Sequence, residues 1–316
     1  MEDTVRLGKA PRIAYGETLL ALARTNRDIV ALDGDLSKST MSCLIEQAFP
    51  DRYFEMSIAE QNMVATAAGL ALKGKIPFVN SFAVFVTGRA FDQVRQSVAY
   101  PANNVKLCGS SSGLSDYGDG ATHQSIEDLA IMRVLPHMVV LSPVDEIETR
   151  EMVKFMAEYR GPVYIRLDRG DTPVVLSDDY RFVLGQPNVI RAGKDVTVFA
   201  TGRMVSLALE AAASLAPQGV SAEVVNVGSI KPMDQAAIVT LARKTGAVVT
   251  AEEHSLCGGF GSAIAEVLMK TKIPIVAVGI QDRFGQSAHR YEDLLTEYGL
   301  TAEAIANAAR EARALK

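Results

Sequence analysis

The sequence predicts an α/β protein built from two doubly wound domains, and three observations carry that prediction. Apolar strand-like runs alternate with amphipathic helical stretches from end to end, the pattern of parallel sheets covered by helices. The alternation breaks once, from about Gly170 to Lys194, into Asp, Pro, Gly and charged residues without sustained periodicity. Finally, 316 residues exceed the size at which single cores usually stop growing, so two cores are expected.

In the first half the strand candidates are Ile29 to Leu32, Ile76 to Asn80, Val105 to Cys108, Met138 to Leu141 and Val163 to Leu167. Between them lie Glu17 to Thr25, Gln61 to Leu72, Thr87 to Val98 and Glu146 to Glu158, whose apolar positions recur at helix spacing. Beyond the break the strand candidates are Val196 to Ala200, Ala222 to Val227, Ala247 to Ala251 and Ile275 to Val278. Helices are expected between them over Ser206 to Leu215, Gln235 to Lys244 and Gly261 to Lys270. The expected domains are therefore 8–172 and a smaller one at 190–316.

Apolar residues make up 48% of the chain and charged residues 22%, which excludes a disordered protein. With a net charge of -5 and no run of Lys and Arg, nucleic acid and membrane surfaces are not expected partners. No apolar stretch has the length of a membrane span, and Met1-Glu2-Asp3 lacks the basic and apolar regions of a signal peptide, so a cytoplasmic location is expected. Cys43, Cys108 and Cys257 are isolated and odd in number, which argues against a disulfide framework or a zinc site. Each is expected to be a small buried apolar residue. The four histidines show no H-x-x-x-H pairing, and no metal is expected on this chain alone.

Three segments can carry chemistry. Met56-Ser57-Ile58-Ala59-Glu60-Gln61-Asn62 opens a helix containing Ala65, Ala67, Ala68, Gly69 and Ala71. So many small residues allow close approach to another element, so Glu60 either faces a buried interface or simply complements the helix dipole. Pro77 to Phe85 ends a strand and spaces Phe82 and Phe85 three apart, as a wall for a heteroaromatic ring or as core packing. Gly109 to Gly118 is a long Ser/Gly/Asp-rich stretch followed by Asp119-Gly120-Ala121-Thr122-His123-Gln124-Ser125-Ile126-Glu127. Loops of this length in a compact domain are usually functional or disordered, and Asp119 and His123, four apart, can bind one substrate or staple the loop.

In this order and spacing the three segments closely resemble the pyrimidine-binding domain of the transketolase family. There a Glu before a small-residue helix, a strand ending in F-x-x-F and a D-G-x-T-H-Q loop occur in the same succession. Farther on, Glu252-Glu253-His254-Ser255, Gly258-Gly259-Phe260-Gly261-Ser262 and Asp282-Arg283-Phe284-Gly285 look like the family's C-terminal domain, with the glycines in a tight strand-to-helix turn. The resemblance implies a pyrimidine-binding, thiamine diphosphate-fold domain followed by a transketolase C-terminal-like domain. It covers nearly the whole chain.

The family's diphosphate-binding domain, with its G-D-G motif and downstream Asn, finds no counterpart. Gly118-Asp119-Gly120 belongs to the T-H-Q loop and lacks the strand-helix context for metal binding. The resemblance thus implies the C-terminal subunit of a split transketolase, completed by an N-terminal subunit on a separate chain in an α2β2 assembly. That subunit would hold the diphosphate and Mg2+ (or Ca2+).

By resemblance, Glu60 hydrogen-bonds N1′ of the cofactor's aminopyrimidine, and it should be shielded from water to favour the protonated carboxyl. Phe82 and Phe85 wall that ring, and Asp35 and Leu36 lie near the thiazolium. Asp119 and His123 hold sugar hydroxyls, His123 being the second catalytic residue. Arg12, Ser39 and Arg169 bind an acceptor phosphate, a task suited to the guanidinium fork; Arg166 rivals Arg169. In place of the family's phosphate-facing His before D-G-x-T-H-Q stands Ser110-Ser111-Ser112, so the sugar differs from the usual pentose and tetrose phosphates or another group holds the phosphate. Alternatives are the β subunit of a 2-oxo acid dehydrogenase, which shares the A-x-D-Q helix of Ala90-Phe91-Asp92-Gln93, a deoxyxylulose phosphate synthase, and a non-catalytic regulatory paralogue.

Overall fold

The computed structural model describes residues 6–316, so the Met1-Glu2-Asp3 start lies outside the described residues. The chain begins with α1 (Pro11–Thr25), β1 (Ile29–Asp33), α2 (Ser37–Thr40), α3 (Cys43–Ala48), β2 (Tyr53–Glu55), α4 (Glu60–Leu72) and β3 (Ile76–Phe82). There follow α5 (Phe91–Gln93), β4 (Lys106–Ser110), α6 (Asp128–Arg133), β5 (Val139–Leu141), α7 (Glu146–Glu158) and β6 (Val163–Arg166). After the linker come β7 (Asn188–Arg191), β8 (Val196–Ala200), α8 (Met204–Leu215), β9 (Ala222–Asn226), β10 (Ser229–Lys231), α9 (Gln235–Thr245) and β11 (Val248–Ser255). The chain closes with α10 (Phe260–Leu268), β12 (Ile275–Ile280), α11 (Tyr291–Glu297) and α12 (Ala302–Ala314).

The strands form a seven-stranded sheet, ordered β10-β5-β6-β4-β3-β1-β2, and a five-stranded one, ordered β12-β11-β8-β9-β7. Within the first, β2, β1, β3, β4, β6 and β5 are all parallel. Both faces of this sheet are buried, and alternate residues of a strand serve opposite cores. Ile29 and Ala31 pack with α1 and α7, whereas Val30 and Leu32 pack with α4 and α6. That two-sided burial is why the strands read as continuous apolar runs rather than alternating ones. Strand order runs one way from β1 to β2 and the other from β3 to β4, which opens a crevice beyond the carboxyl ends of β1 and β3.

The expected helix from Thr87 to Val98 is different in the structure. Two π-helical turns, Phe85–Arg89 and Val94–Ala99, flank the short α5, and Ala90 N–H reaches back five residues to Phe85 O at 3.4 Å. Such widened turns occur frequently at functional sites. Of the cysteines only Cys108 is buried; Cys257 is exposed because it lies in the turn leading to α10. Among the described residues no helix is long and apolar enough to cross a membrane.

The two sheets interlock. Strand β10, beyond the linker, adds antiparallel to β5 at the edge of the first sheet. Buried Glu148 on α7 accepts from Asn226 Nδ2 at 3.0 Å, Val144 N–H at 2.8 Å and Tyr180 OH at 2.9 Å, tying helix, linker and second sheet together. Asp145 caps α7 through Ile147 and Glu148 N–H and also holds Val175 and Leu176 N–H of the linker. On β11, Glu252 accepts the N–H groups of Phe260 (2.6 Å) and Gly261 (2.7 Å) at the start of α10; any side chain at Gly259 would overlap that carboxylate. The glycines thus serve a strand-to-helix turn.

Burial pushes the carboxyls of Glu148, Glu252 and Glu253 each up to about 7. Between their ordinary pKa of about 4.3 and that value, the folded chain binds more protons than the unfolded one. Stability from these groups is therefore fully present below the window and lost as pH rises through 7. Asp33, raised to about 6 by burial, acts in the same sense. His254, lowered by burial, opposes them within the window, and Lys106, lowered to about 7 by burial, adds stability with rising pH only above it. The urea midpoint of the full chain is expected to be higher at about pH 5.5 than at about pH 7; a lower midpoint at the acid value contradicts this balance.

Candidate active site

Every predicted site residue except Arg12 lies at or just beyond the carboxyl end of a parallel strand or at the helix start that follows one. The loop after β1 carries Asp35, Leu36 and Ser39, β3 ends at Phe82, the loop after β4 carries Asp119 and His123, and the segment after β6 carries Arg169. Arg12 joins them from the first turn of α1. Three of these loops contain a non-glycine residue in the left-handed region: Asp35 (φ 63°), Ser57 (φ 55°) and Ser111 (φ 54°). Backbone held this way costs energy and is found where position matters more than strain.

Glu60 begins α4 and is 1% exposed. Its Oε2 accepts from an Arg89 guanidinium nitrogen at 2.8 Å, and Ser81 Oγ donates to Oε1 at 3.4 Å. Shielding from water is as expected, but the carboxyl is engaged as an acceptor rather than a donor, because Arg89 reaches it from the widened helical turn. The same guanidinium lies 4.5 Å from the Phe85 ring centroid. A side chain at Gly34, just past β1, would meet Glu60 Cγ at 3.8 Å, so the β1 loop adjoins this carboxylate.

The rings of Phe82 and Phe85 stack at 6.1 Å with an interplanar angle of 13°, giving one wall. His123 stands edge-on to both, at 6.1 and 5.4 Å, and Thr122 Oγ1 is 3.0 Å from its Nδ1. Beyond Phe82, the Arg169 guanidinium lies 5.7 Å from the ring and donates to Asp116 Oδ2 at 2.9 Å. Arg12 donates to the Arg169 carbonyl at 3.0 Å and the Ser39 carbonyl at 3.1 Å, so Ser39 contributes its backbone there. Burial, and then the charge of Arg169, lower the Arg12 pKa. The structure therefore brings Arg12, Ser39 and Arg169 together. Arg166 is set apart: it is buried, pairs with Asp128 at 3.1 Å and donates to Glu253 O.

Asp35 is exposed and its N–H donates to Glu55 Oε1 at 3.0 Å; Ser57 N–H donates to the same oxygen at 2.7 Å. Glu55 thus links the β1 loop to the entry of α4. Buried Asp33 accepts from Leu36 N–H (2.6 Å), Thr40 Oγ1 (2.6 Å) and Ser42 Oγ (2.7 Å), which shapes the loop that carries Asp35 and Leu36. The long loop after β4 is braced by the second domain. Glu253 accepts Leu114 N–H at 2.6 Å and Tyr291 OH at 2.6 Å, Gln124 Nε2 donates to Gln286 O at 3.0 Å, and Ala288 N–H donates to Tyr117 O at 2.9 Å. Gly113 sits where a side chain would run into Glu253 at 2.5 Å.

Residues 9–174 match the family model described as "Transketolase, pyrimidine binding domain", and residues 185–305 match "Transketolase, C-terminal domain". The chain belongs to the transketolase family. This transketolase-family chain is 45% identical over 302 residues to the 6-deoxy-6-sulfo-D-fructose transketolase subunit SqwH of Clostridium sp. (strain MSTE9), with 95% of this chain and 93% of that one covered. It is 39% identical over 303 residues to an apulose-4-phosphate transketolase subunit of Phocaeicola vulgatus, with 96% and 97% covered. Among solved structures it is similar to a "Split gene transketolase, inactive beta4 tetramer", with 51% identity, a TM-score of 0.89, and 98% and 99% of the two chains covered.

Asp33, Glu55, Arg89 and Asp116 carry no expectation from the sequence, and Glu253 enters there only as part of the C-terminal-domain motif, without its contact to the loop. Only Arg89, four residues after Phe85, carried a local signal, since residues four apart share a helix face. The Phe82 and Phe85 rings stack directly on each other, and His123 meets them only edge-on. We expect His123→Ala in the assembled enzyme to lower kcat by at least about tenfold while thiamine diphosphate affinity, followed by near-UV dichroism, changes little. Collapse of that affinity would put the loop on the cofactor side of the site.

Proposed function

We propose that the chain is the C-terminal subunit of a two-chain transketolase. It transfers a two-carbon ketol unit from a ketose (phosphate) donor to an aldose (phosphate) acceptor, and works only with an N-terminal, diphosphate-binding subunit in an α2β2 assembly. The observation that carries this proposal is the buried Glu60 carboxylate beside the Phe82–Phe85 wall, with His123 and Arg169 beyond it. The two relatives described as transketolase subunits, and the split gene transketolase, each matched over nearly their whole length, support it.

The residues present fit an aminopyrimidine. A flat ring stacks on a phenyl wall, and the buried carboxyl at its edge can exchange Arg89, which is 43% exposed, for a ring nitrogen. Glu60 would hold a proton at that nitrogen, Phe82 and Phe85 would orient the ring, and Asp35 and Leu36 would border the thiazolium. Thiamine diphosphate, when bound, supplies the electron sink for cleaving a bond next to a carbonyl. His123 and Asp119 would orient sugar hydroxyls, and Arg12, Ser39 and Arg169 would face the far end of the acceptor. Mg2+ (or Ca2+) and the diphosphate are assigned to the partner. Within this chain, 8–172 is the proposed pyrimidine-binding unit and 190–316 the unit that braces its loop.

The test mixes the purified chain with the candidate N-terminal subunit and follows thiamine-dependent two-carbon transfer. We expect no turnover and weak cofactor binding from the chain alone, and both restored on mixing. Full turnover without the partner contradicts the proposal.

A further inference from the structure

The far end of the candidate site, where Arg12 and Arg169 converge, is already charge-compensated. Arg169 is paired with Asp116 at 2.9 Å, and a second Arg169 contact goes to Ser111 Oγ at 3.5 Å. Asp116 is 3% exposed, and the charge of Asp119, three residues on in the same loop, adds to its own. Arg12 has spent its Nε and one terminal nitrogen on the carbonyls of Arg169 and Ser39, and Asp171 lies near enough to offset its charge. Two guanidiniums therefore stand among three carboxylates.

The energetics of this arrangement decide what it can bind. An anion that captures Arg169 strips a buried carboxylate of its counter-charge, and a buried charge left without its partner is strongly destabilising. If the pair stays intact, the anion takes the guanidinium edge that Asp116 leaves free and still lies in the field of the Asp116 and Asp119 charges, which weakens its binding. A hydroxyl meets neither cost, because it can donate to the carboxylate and accept from the guanidinium at once. Burial raises the Asp116 carboxyl above its ordinary range and Arg169 opposes that rise, so the two groups depend on each other.

We propose that Asp116 is a specificity-determining residue that neutralises Arg169 and selects acceptors whose far end is an uncharged hydroxyl group over phosphorylated or sulfonated ones. This rests on the proposed ketol transfer for its substrate, and extends it to the acceptor class. Asp116 touches neither the Phe82–Phe85 wall nor Glu60 through any hydrogen bond, so its replacement should leave cofactor binding in place.

The test has two arms. In the first, inorganic sulfate is titrated by calorimetry into the full chain, its charge being constant across the working pH range. We expect Asp116→Asn to tighten sulfate binding by about tenfold or more over wild type, and Arg169→Ala to abolish the gain. Asp116→Ser serves the same purpose if the Asn variant does not fold. In the second, the assembled enzyme is compared on D-glyceraldehyde and D-glyceraldehyde 3-phosphate. Wild type should show the higher kcat/KM on the uncharged aldehyde, and Asp116→Asn should shift the ratio toward the phosphate by about tenfold. Unchanged sulfate affinity in the folded variants, or a wild-type preference for the phosphate that Asp116→Asn leaves intact, overturns the proposal. If the assembled wild type transfers to neither aldehyde while sulfate binding still responds to Asp116, ketol transfer fails and the control of Arg169 by Asp116 stands.

Discussion

A carboxylate that is 1% exposed needs a counter-charge, and Arg89 supplies it to Glu60 at 2.8 Å. Much of the carboxyl edge of the first sheet is arranged around that pair. The β1 loop adjoins Glu60 at Gly34, and the π-helical turn after Phe85 brings Arg89 back over the Phe85 ring. Met63, Val64, Ala67 and Ala68 bury α4 against the sheet, while Ala65 and Gly69 face outward. Arg89 remains 43% exposed, so the pair is closed on the Glu60 side and open toward solvent on the other.

Among the described residues the second domain contributes no side chain to the Phe82–Phe85 wall, yet it fixes where the long loop after β4 lies. Glu253 clamps Leu114, Gln286 and Ala288 hold Gln124 and Tyr117, and Arg203 pairs with Asp168 at 2.7 Å next to Arg169. Loops positioned by a rigid scaffold can hold reacting groups in place, and here the scaffold is shared between two sheets. The antiparallel addition of β10 to the first sheet and the buried Glu148 hub join the two sheets. The loop's geometry is thus a property of the pair of domains.

Much of this was legible in the sequence. Long, fully buried parallel strands such as Ile29–Asp33 and Val196–Ala200 announce themselves as apolar runs. The strands that escaped notice, β2, β7 and β10, are three or four residues long and lie at sheet edges, too short to show a period. The π-helical turns were hidden because widened turns keep an apolar spacing close to that of an α-helix. Glu60, Phe82, Phe85 and His123 could be picked out because they lie in compact local motifs. The roles of Asp116 and Glu253 could not, since they depend on Arg169 and Leu114, distant in sequence and adjacent only in the fold.

The central claim is that Glu60 serves the cofactor ring rather than the helix start. It is tested most directly by hydrogen/deuterium exchange at C2 of thiamine diphosphate bound to the reconstituted complex, comparing wild type with Glu60→Gln at saturating cofactor. Glutamine keeps the size and hydrogen-bonding capacity of the side chain but cannot hold a transferable proton at the ring nitrogen. We predict exchange slowed on the order of 100-fold, equivalent to roughly 2.7 kcal/mol of transition-state stabilisation. Equal exchange rates in the two complexes would contradict the account and leave Glu60 as a buried partner of Arg89 alone.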